Sequence, residues 1–130
     1  MTEPARVAVV AAAIVADGRV LAARRSRPAA LAGRWEFPGG KREPGEDDVQ
    51  ALVRECREEL GITVSVGARL GSGRDGDVDL ALYLAVVERG TPAAGEDHDE
   101  LRWLDDTTLS LVDWLPVDAA LLDAVRPALR

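Results

Sequence analysis

The order of segments along this 130-residue chain predicts an α+β fold, with a mixed β-sheet and helices in an α/β/α sandwich. One long run of helix formers stands between segments with strand patterns, and a second helical run lies near the C-terminus. Glycine and proline residues separate these segments at the expected turns. At this length we expect a single domain over residues 1–130.

The N-terminal part of the chain has the pattern of a β-hairpin followed by an aromatic segment. Residues 7–15 are rich in valine and carry no helical periodicity, which predicts a buried strand. The Asp-Gly pair at 17–18 is a strong signal for a two-residue hairpin turn, so residues 19–25 should form the returning strand. A loop at 26–33 then leads to the aromatic segment 35–37.

The run of helix formers at 46–60 predicts the central helix. Asp47 and Asp48 stand near its start, where negative charge is favoured, and Gly61 follows its last residue. Alternation, apolar runs and turn signals predict the remaining elements, which are strands at 62–66, 78–87 and 101–104 and a C-terminal helix at 118–125 that Pro127 would limit.

Composition and charge argue against several classes of protein. The net charge of −7 disfavours a broad basic face for a nucleic acid polymer. The longest apolar run, residues 7–16, is shorter than the ~20 residues of a membrane helix. The single cysteine, Cys56, cannot form an intrachain disulfide. We therefore expect a cytoplasmic protein without a membrane partner, in which metal ions would bridge acidic residues to any bound phosphates.

The predicted central helix carries a cluster of glutamates. Glu55, Glu58 and Glu59 are three and four residues apart, so they share one side of the helix. The ordinary interpretation is a solvated acidic face, but lysines usually intersperse such a face, and here only Arg54 and Arg57 are near. Clustered carboxylates also suit a hard cation such as Mg²⁺, which pairs with substrate phosphates. The apolar face is predicted to contain Val49, Leu52, Val53, Cys56 and Leu60.

The stretch from Gly40 to Ile62 resembles the Nudix box. That motif consists of a glycine, five residues, a glutamate, seven residues, and then Arg-Glu-apolar-x-Glu-Glu-x-Gly-apolar. The chain fills these positions with Gly40, Glu46, Arg54, Glu55, Glu58, Glu59, Gly61 and Ile62. Cys56 replaces the usual bulky aliphatic residue, and we interpret it as structural. Segments 24–25, 31–41, 97–103 and 113–118 are similar to the MutT branch of the superfamily, which includes CTP pyrophosphohydrolase-like members.

This resemblance implies a metal-dependent hydrolase. Nudix enzymes use Mg²⁺ or Mn²⁺ to hydrolyse a nucleoside diphosphate linked to another moiety, and MutT-like members convert a nucleoside triphosphate to a monophosphate and pyrophosphate. By the same resemblance, the metal ligands are Glu55, Glu58, Glu59 and the Gly39 carbonyl, and Glu55 is also a candidate base. Arg54 would orient a glutamate through a charge-assisted hydrogen bond.

The resemblance also implies a distal acid in a late loop. Asp97 aligns best with that acid, and Glu96 and Glu100 are the alternatives. His98 has no position in the motif, so we expect it on the surface of this loop without a chemical role. Two further aromatic residues are expected in the core or the pocket wall, Trp103 and Trp114.

Substrate contacts are expected from five residues. Arg24 and Arg25 would meet the triphosphate, although at least one should face solvent because neighbours alternate along a strand. Trp35 and Phe37 would either flank a base or pack in the core. Asp118 would either recognise the base or cap the C-terminal helix.

The leading hypothesis is an enzyme that cleans or balances the nucleotide pool by acting on 8-oxo-dGTP, on CTP and dCTP, or on both. One alternative is a Nudix hydrolase of another nucleoside diphosphate derivative, such as a nucleotide sugar or a dinucleotide. The other is a non-catalytic Nudix-fold ligand-binding module, which would be expected to lack a box glutamate, and none is missing here. We expect a monomer or a homodimer.

Overall fold

The computed structural model describes residues 6–130, and its secondary structure follows the predicted alternation of strands and helices. In chain order the elements are β1 (Val7–Ala16), β2 (Arg19–Arg25), β3 (Trp35–Glu36), β4 (Gly39–Lys41), α1 (Asp48–Leu60), β5 (Thr63–Asp75), β6 (Val78–Arg89), β7 (His98–Leu104), α2 (Pro116–Ala119) and α3 (Leu122–Val125). Among the described residues, no helix is long and apolar enough to span a bilayer.

The sheet is mixed, and β1 is its centre. The strands run in the order β3-β2-β1-β6-β5, with β4 on β1 and β7 on β2. Strands β1 and β6 are parallel, and the other pairs are antiparallel. The predicted hairpin is confirmed, because Asp17 and Gly18 both have positive φ, as this tight turn requires. The predicted α+β architecture is also confirmed.

Two hydrophobic clusters fill the two faces of the sheet, because successive β1 side chains point to opposite sides. One cluster packs under α1 around Val10, Ile14 and the helix residues Leu52 and Leu60. Burial of each such leucine contributes about 1.5–3 kcal/mol. The opposite cluster packs against the C-terminal segments and includes Trp35, Phe37, Leu82, Trp114 and Val125.

Helix α1 begins two residues later than the predicted start at residue 46. Asp47 is its N-cap, since the side chains of Asp47 and Gln50 each accept a hydrogen bond from the other residue's backbone N–H. Gly61 ends the helix in the left-handed conformation, with φ of 69°. The prediction that Val49 lies on the apolar face is wrong: it is 45% exposed, and Ala51 is buried instead.

The predicted C-terminal helix at 118–125 is also wrong, because the segment forms two short helices. Pro116 starts α2 before the predicted first residue. The break falls at Leu121, whose φ of −101° and ψ of −1° depart from helical values. Its side chain packs over Gly71 of β5, where a Cβ would lie 3.2 Å from a Leu121 methyl group. The contact between Leu121 and β5 therefore lies at the point where the helix is interrupted, between α2 and α3.

Candidate active site

Helix α1 and the segment 95–98 enclose a pocket of about 490 Å³ that we call the acidic pocket. Glu55, Glu58 and Glu59 line it from the helix, and Glu96 and Asp97 line it from the opposite segment. The structure therefore brings together the three glutamates that the motif singled out, and it adds two further carboxylates from a distant part of the chain.

Arg54 organises the glutamates of the motif. Its Nη1 lies 2.9 Å from Glu55 Oε1 and 3.2 Å from Glu58 Oε2, and its Nε donates to Glu46 Oε2 at 2.7 Å. Its Nη2 donates to the Lys41 carbonyl at 3.0 Å, which ties the helix to β4. These hydrogen bonds lower the pKa of Glu46 to about 2 and raise the pKa of Arg54. Arg54 contacts several carboxylates at once, as a planar guanidinium can and an ammonium cannot.

Glu59 and Glu55 are the two enclosed glutamates of the acidic pocket, with side chains 16% and 14% exposed. Glu59 differs from Glu55 in its hydrogen bonding. Its Oε2 is buried and has no hydrogen-bond partner. Burial raises its pKa, and the neighbouring charge of Glu55 raises it further. Glu55 itself fits against the backbone at Gly40, where a Cβ would clash with its carboxylate. The chain thus has glycine where the acid must approach β4.

These residues fit a hard divalent cation. The donors are carboxylate oxygens, one of them buried and unpaired, and Mg²⁺ prefers oxygen ligands with several left for water and phosphate. Across residues 6–130, no group of three or more His, Cys, Asp or Glu side chains already stands around a common point for an ion. Glu58 is 61% exposed, so its side chain reorients without loss of packing. Gly39, the fourth expected ligand, lies next to Gly40 in β4. It lines a neighbouring cleft and not the acidic pocket itself.

The three candidate distal acids occupy different positions. Asp97 lines the acidic pocket and accepts a 2.7 Å hydrogen bond from Arg27 Nε, which lowers its pKa. Glu96 lines the same pocket, but its side chain is 89% exposed. Glu100 pairs with Arg24 and Arg102 outside this pocket. Asp97 is therefore the ionised acid that the fold holds most firmly at the pocket.

The expectation of a surface position for His98 is wrong. The side chain is 1% exposed, and its Nε2 lies 2.8 Å from Glu36 Oε2. β7 begins at His98, whereas the sequence predicted a strand only from residue 101, so the residue belongs to the sheet instead of the loop.

A second pocket of about 340 Å³, which we call the apolar cleft, adjoins the first. Phe37 and Asp118 line it together with Arg25 and Glu36, which are joined by a 3.0 Å ion pair. Arg24 lies outside both pockets and donates to Asp99 at 2.6 Å, as alternation along β2 requires.

The aromatic residues divide between core and surface. Trp35 and Phe37 are 5% and 2% exposed, so both pack in the core, and only Phe37 also lines the apolar cleft. Trp114 is buried with its ring centroid 4.7 Å from that of Phe37. Trp103 is 37% exposed and lines neither pocket, so its assignment to core or pocket wall is wrong.

Asp118 is a buried carboxyl group in the apolar cleft, 3% exposed. It does not cap the C-terminal helix, because α2 already begins at Pro116, two residues before Asp118, and Leu115 occupies the N-cap position. Its Oδ1 accepts a 2.9 Å hydrogen bond from the Phe37 backbone N–H. Burial raises the pKa of Asp118 to about 7, and the charge of Glu36 contributes to that rise.

Two residues of this region were not predicted from the sequence. Glu36 stands between two core aromatic residues, and strand alternation, which turns every second side chain to the opposite face, was the available signal. Arg27, which holds Asp97, had no local signal because its partner lies 70 residues away.

The chain is similar to several known proteins. Residues 4–130 match the NUDIX domain. A Mycobacterium tuberculosis protein, provisionally named 8-oxo-dGTP diphosphatase 2, is 46% identical over 115 residues, which cover 85% of this chain and 81% of that protein. The CTP pyrophosphohydrolase of Escherichia coli K12 is 41% identical over 120 residues, which cover 89% of this chain and 88% of that protein.

A comparison with solved structures leads to the same family. The solution structure of the E. coli ORF135 protein superposes with a TM-score of 0.78 at 40% identity, and the match covers 92% of this chain and 88% of that one. The chain therefore belongs to the Nudix hydrolase family, and it is similar to the MutT-like pyrophosphohydrolases of that family.

Proposed function

We propose that this protein is a Mg²⁺- or Mn²⁺-dependent nucleoside triphosphate pyrophosphohydrolase that acts in the cytoplasm on 8-oxo-dGTP, on CTP and dCTP, or on both. The products are a nucleoside monophosphate and pyrophosphate, and the role is to clean the nucleotide pool that supplies DNA replication and repair. One observation carries the proposal: an acidic pocket that suits metal-bound phosphates adjoins an apolar cleft that ends in a buried carboxyl group.

The acidic pocket would hold the reacting phosphates. Glu55, Glu58, Glu59 and the Gly39 carbonyl would be the metal ligands. A bound divalent ion neutralises phosphate charge and lowers the pKa of the attacking water. Arg54 keeps the enclosed Glu55 in place through a hydrogen bond and contacts Glu58, so Glu55 is oriented before substrate binds.

Proton removal from the attacking water is assigned to Asp97. Its carboxylate lines the acidic pocket, and Arg27 orients it through a hydrogen bond that also lowers its pKa. Glu55 is the alternative base, and an arginine holds its carboxylate too, with Arg54 Nη1 at 2.9 Å.

The apolar cleft would hold the nucleoside. Phe37 supplies an apolar wall, and Asp118 supplies the group that recognises the base edge. An ionised carboxylate accepts from the cytosine exocyclic amine, whereas a protonated one also donates to the O6 oxygen of a purine. Arg25 lies at the cleft and would meet the phosphates, whereas Arg24 turns away from it.

The relatives support both substrate classes, because one is named for 8-oxo-dGTP and another for CTP. The test is pyrophosphate release from a panel of 8-oxo-dGTP, dGTP, CTP, dCTP and UTP with Mg²⁺, alongside loss of a nucleotide sugar and of a dinucleotide followed chromatographically. We expect pyrophosphate from at least one of 8-oxo-dGTP, CTP and dCTP. Faster cleavage of the nucleotide sugar or dinucleotide would overturn the substrate class, and nucleotide binding without turnover would make the chain a ligand-binding module.

A further inference from the structure

His98 is a buried polar residue for which the proposed chemistry provides no role. Its Nε2 lies 2.8 Å from Glu36 Oε2, and its Nδ1 lies 3.9 Å from Glu59 Oε2. Burying an imidazole costs free energy unless its polar atoms are paired. The chain nevertheless keeps this ring 1% exposed between two carboxyl groups, which calls for a structural or functional reason.

Glu36 connects His98 to an arginine. The Oε2 atom that faces His98 also accepts from Arg25 Nη1 at 3.0 Å. A carboxylate paired with a guanidinium only accepts hydrogen bonds, so the imidazole Nε2 carries the hydrogen of the Glu36–His98 contact. Arg25 is fixed on its other side, where Nε and Nη2 donate to the Arg27 carbonyl at 3.0 and 2.7 Å.

This hydrogen bond lies between the two pockets. His98 lines the acidic pocket, whereas Glu36 and Arg25 line the apolar cleft. On the other side of the His98 ring, Nδ1 faces Glu59 Oε2 at 3.9 Å, so the contact from Glu36 reaches the edge of the acidic pocket. The position of the Glu36 carboxylate therefore affects both sides of the site.

A β-bulge brings His98 to this position. Arg24 pairs with Glu100, and Arg25 pairs with His98, so Asp99 is the extra residue in β7. Without the bulge, alternation would pair Arg25 with Asp99 and turn the His98 side chain to the opposite face of the sheet. Bulges are frequent where a side chain is re-aimed toward an active site.

We propose that His98 is a positioning residue for nucleotide binding, which fixes the Glu36 carboxylate, and through it Arg25, at the wall of the apolar cleft. The inference rests on the proposed function, since it assumes that a nucleotide occupies that cleft. It gives His98 a role in substrate affinity and none in proton transfer.

Three variants separate this role from the alternatives. His98→Leu removes the donor and keeps an apolar side chain in the buried site, whereas His98→Gln retains an N–H donor. Tyr83→Phe is the matched control, because it removes one hydrogen bond between the sheet and α1, from Tyr83 to Asp48 at 2.6 Å. Neither residue of that control pair lines the acidic pocket or the apolar cleft.

The measurements are the Kd of CMP and of 8-oxo-dGMP for metal-free protein, and KM and kcat for the best triphosphate at saturating Mg²⁺. We expect His98→Leu to raise Kd and KM about tenfold, the cost of one charge-assisted hydrogen bond, with kcat changed less than about threefold. His98→Gln should restore both constants to within about threefold of wild type. Tyr83→Phe should lower Tm alone.

Either of two outcomes would overturn the inference. A collapse of kcat in both His98 variants would make the residue a proton-transfer group. Unchanged Kd and KM with a lower Tm in His98→Leu would make it a purely structural one. The inference also requires that His98→Leu have little effect on Kd in a Glu36→Gln background, because the partner is already altered there.

Nuclear magnetic resonance can detect the His98–Glu36 hydrogen bond without overlapping signals, because His98 is the only histidine of the chain. Untagged protein should show a slowly exchanging Nε2–H whose shift changes in Glu36→Gln, and an Nδ1–H tautomer would contradict the inference. If monophosphate binding weakens tenfold in His98→Leu but no triphosphate is hydrolysed by wild type, the proposed function fails and the inference stands. If wild type hydrolyses a triphosphate but His98→Leu leaves Kd and KM unchanged, the inference fails and the proposed function stands.

Discussion

The acidic pocket and the apolar cleft meet at the Glu36–His98 hydrogen bond, and they accommodate negative charge in opposite ways. In the acidic pocket, burial raises the pKa of Glu59 and the neighbouring charge of Glu55 raises it further, while Arg54 pairs with Glu55. In the apolar cleft, Asp118 is enclosed by apolar groups and accepts a single backbone hydrogen bond from Phe37.

The comparison teaches what each pocket needs from a ligand. Crowded carboxylates repel one another, so the acidic pocket is completed by positive charge. An enclosed carboxyl group with a pKa of about 7 exists in two protonation states near neutral pH, so the cleft is completed by a neutral partner with hydrogen-bonding edges. Metal-bound phosphates suit the first, and a nucleobase suits the second.

The largest expected effect is the loss of a charge from the acidic pocket. Glu58→Gln and Glu59→Gln should each lower kcat at least about 100-fold at saturating Mg²⁺, since each removes a proposed ligand charge. The fold should remain, because Glu58 is 61% exposed and substitution of Glu59 relieves repulsion within the helix. The two measurements are the rate of pyrophosphate release and the Tm. The control is Glu88→Gln, which alters an exposed glutamate on β6 and should leave turnover unchanged. Near-wild-type turnover in a test variant would remove the substituted glutamate from the proposed ligands.

The second expected effect concerns the orientation of those glutamates. Arg54→Lys keeps the charge but cannot contact Glu46, Glu55 and the Lys41 carbonyl together. We expect kcat to fall about 10–100-fold, the usual cost of losing a residue that orients metal ligands, and Tm to fall as well. The control is Arg57→Lys on the exposed side of the same helix, which should leave both unchanged. Equal behaviour of the two variants would show that Arg54 acts only as a positive charge.

The acidic pocket was largely predictable because its core is local in sequence. Glu55, Glu58 and Glu59 follow from helical spacing, and the resemblance assigned Asp97 to the same chemistry before any contact was known. The partner of Asp97 was not predictable in this way, since Arg27 reaches it across the β2–β7 pairing. The expectation for His98 was wrong because the segment before residue 101 was predicted as a loop, whereas β7 begins at His98 and the bulge at Asp99 sets its facing.

The apolar cleft was less predictable because its walls come from strands β1 to β6 and the segment 115–118. Asp118 lies next to Phe37, 81 residues away, only after α2 has packed against the sheet. Its sequence position after Pro116 suggested a helix cap with equal force. The strands and the central helix were predictable since their periodicities are local, whereas the break at Leu121 depends on contact with Gly71.

A third effect is expected on base preference. Asp118→Asn keeps an oxygen to accept from the Phe37 N–H but adds an amide donor. We expect kcat/KM for CTP or dCTP to fall relative to that for 8-oxo-dGTP by a factor worth about 1–3 kcal/mol. The two specificity constants, measured side by side for wild type and variant, give that ratio. An unchanged ratio with a lower Tm would leave Asp118 with only a structural role in the cleft.

The smallest expected effect is on the pH dependence of stability, and it isolates Asp118 from the acidic pocket. Burial raises the pKa of Asp118 from 3.8 to about 7, so between these values the folded state keeps a proton that the unfolded state has lost. Asp118 therefore stabilises the fold fully below about pH 4, and this stabilisation is lost as the pH rises through about 7. Asp118→Asn does not titrate, so the Tm of wild type minus that of the variant should decrease by a few degrees between pH 4.5 and 7.5. Glu59 is present in both proteins, and its contribution cancels in the difference. Thermal unfolding without metal gives the two curves, and parallel curves across this range would mean that Asp118 is ionised in the folded protein throughout.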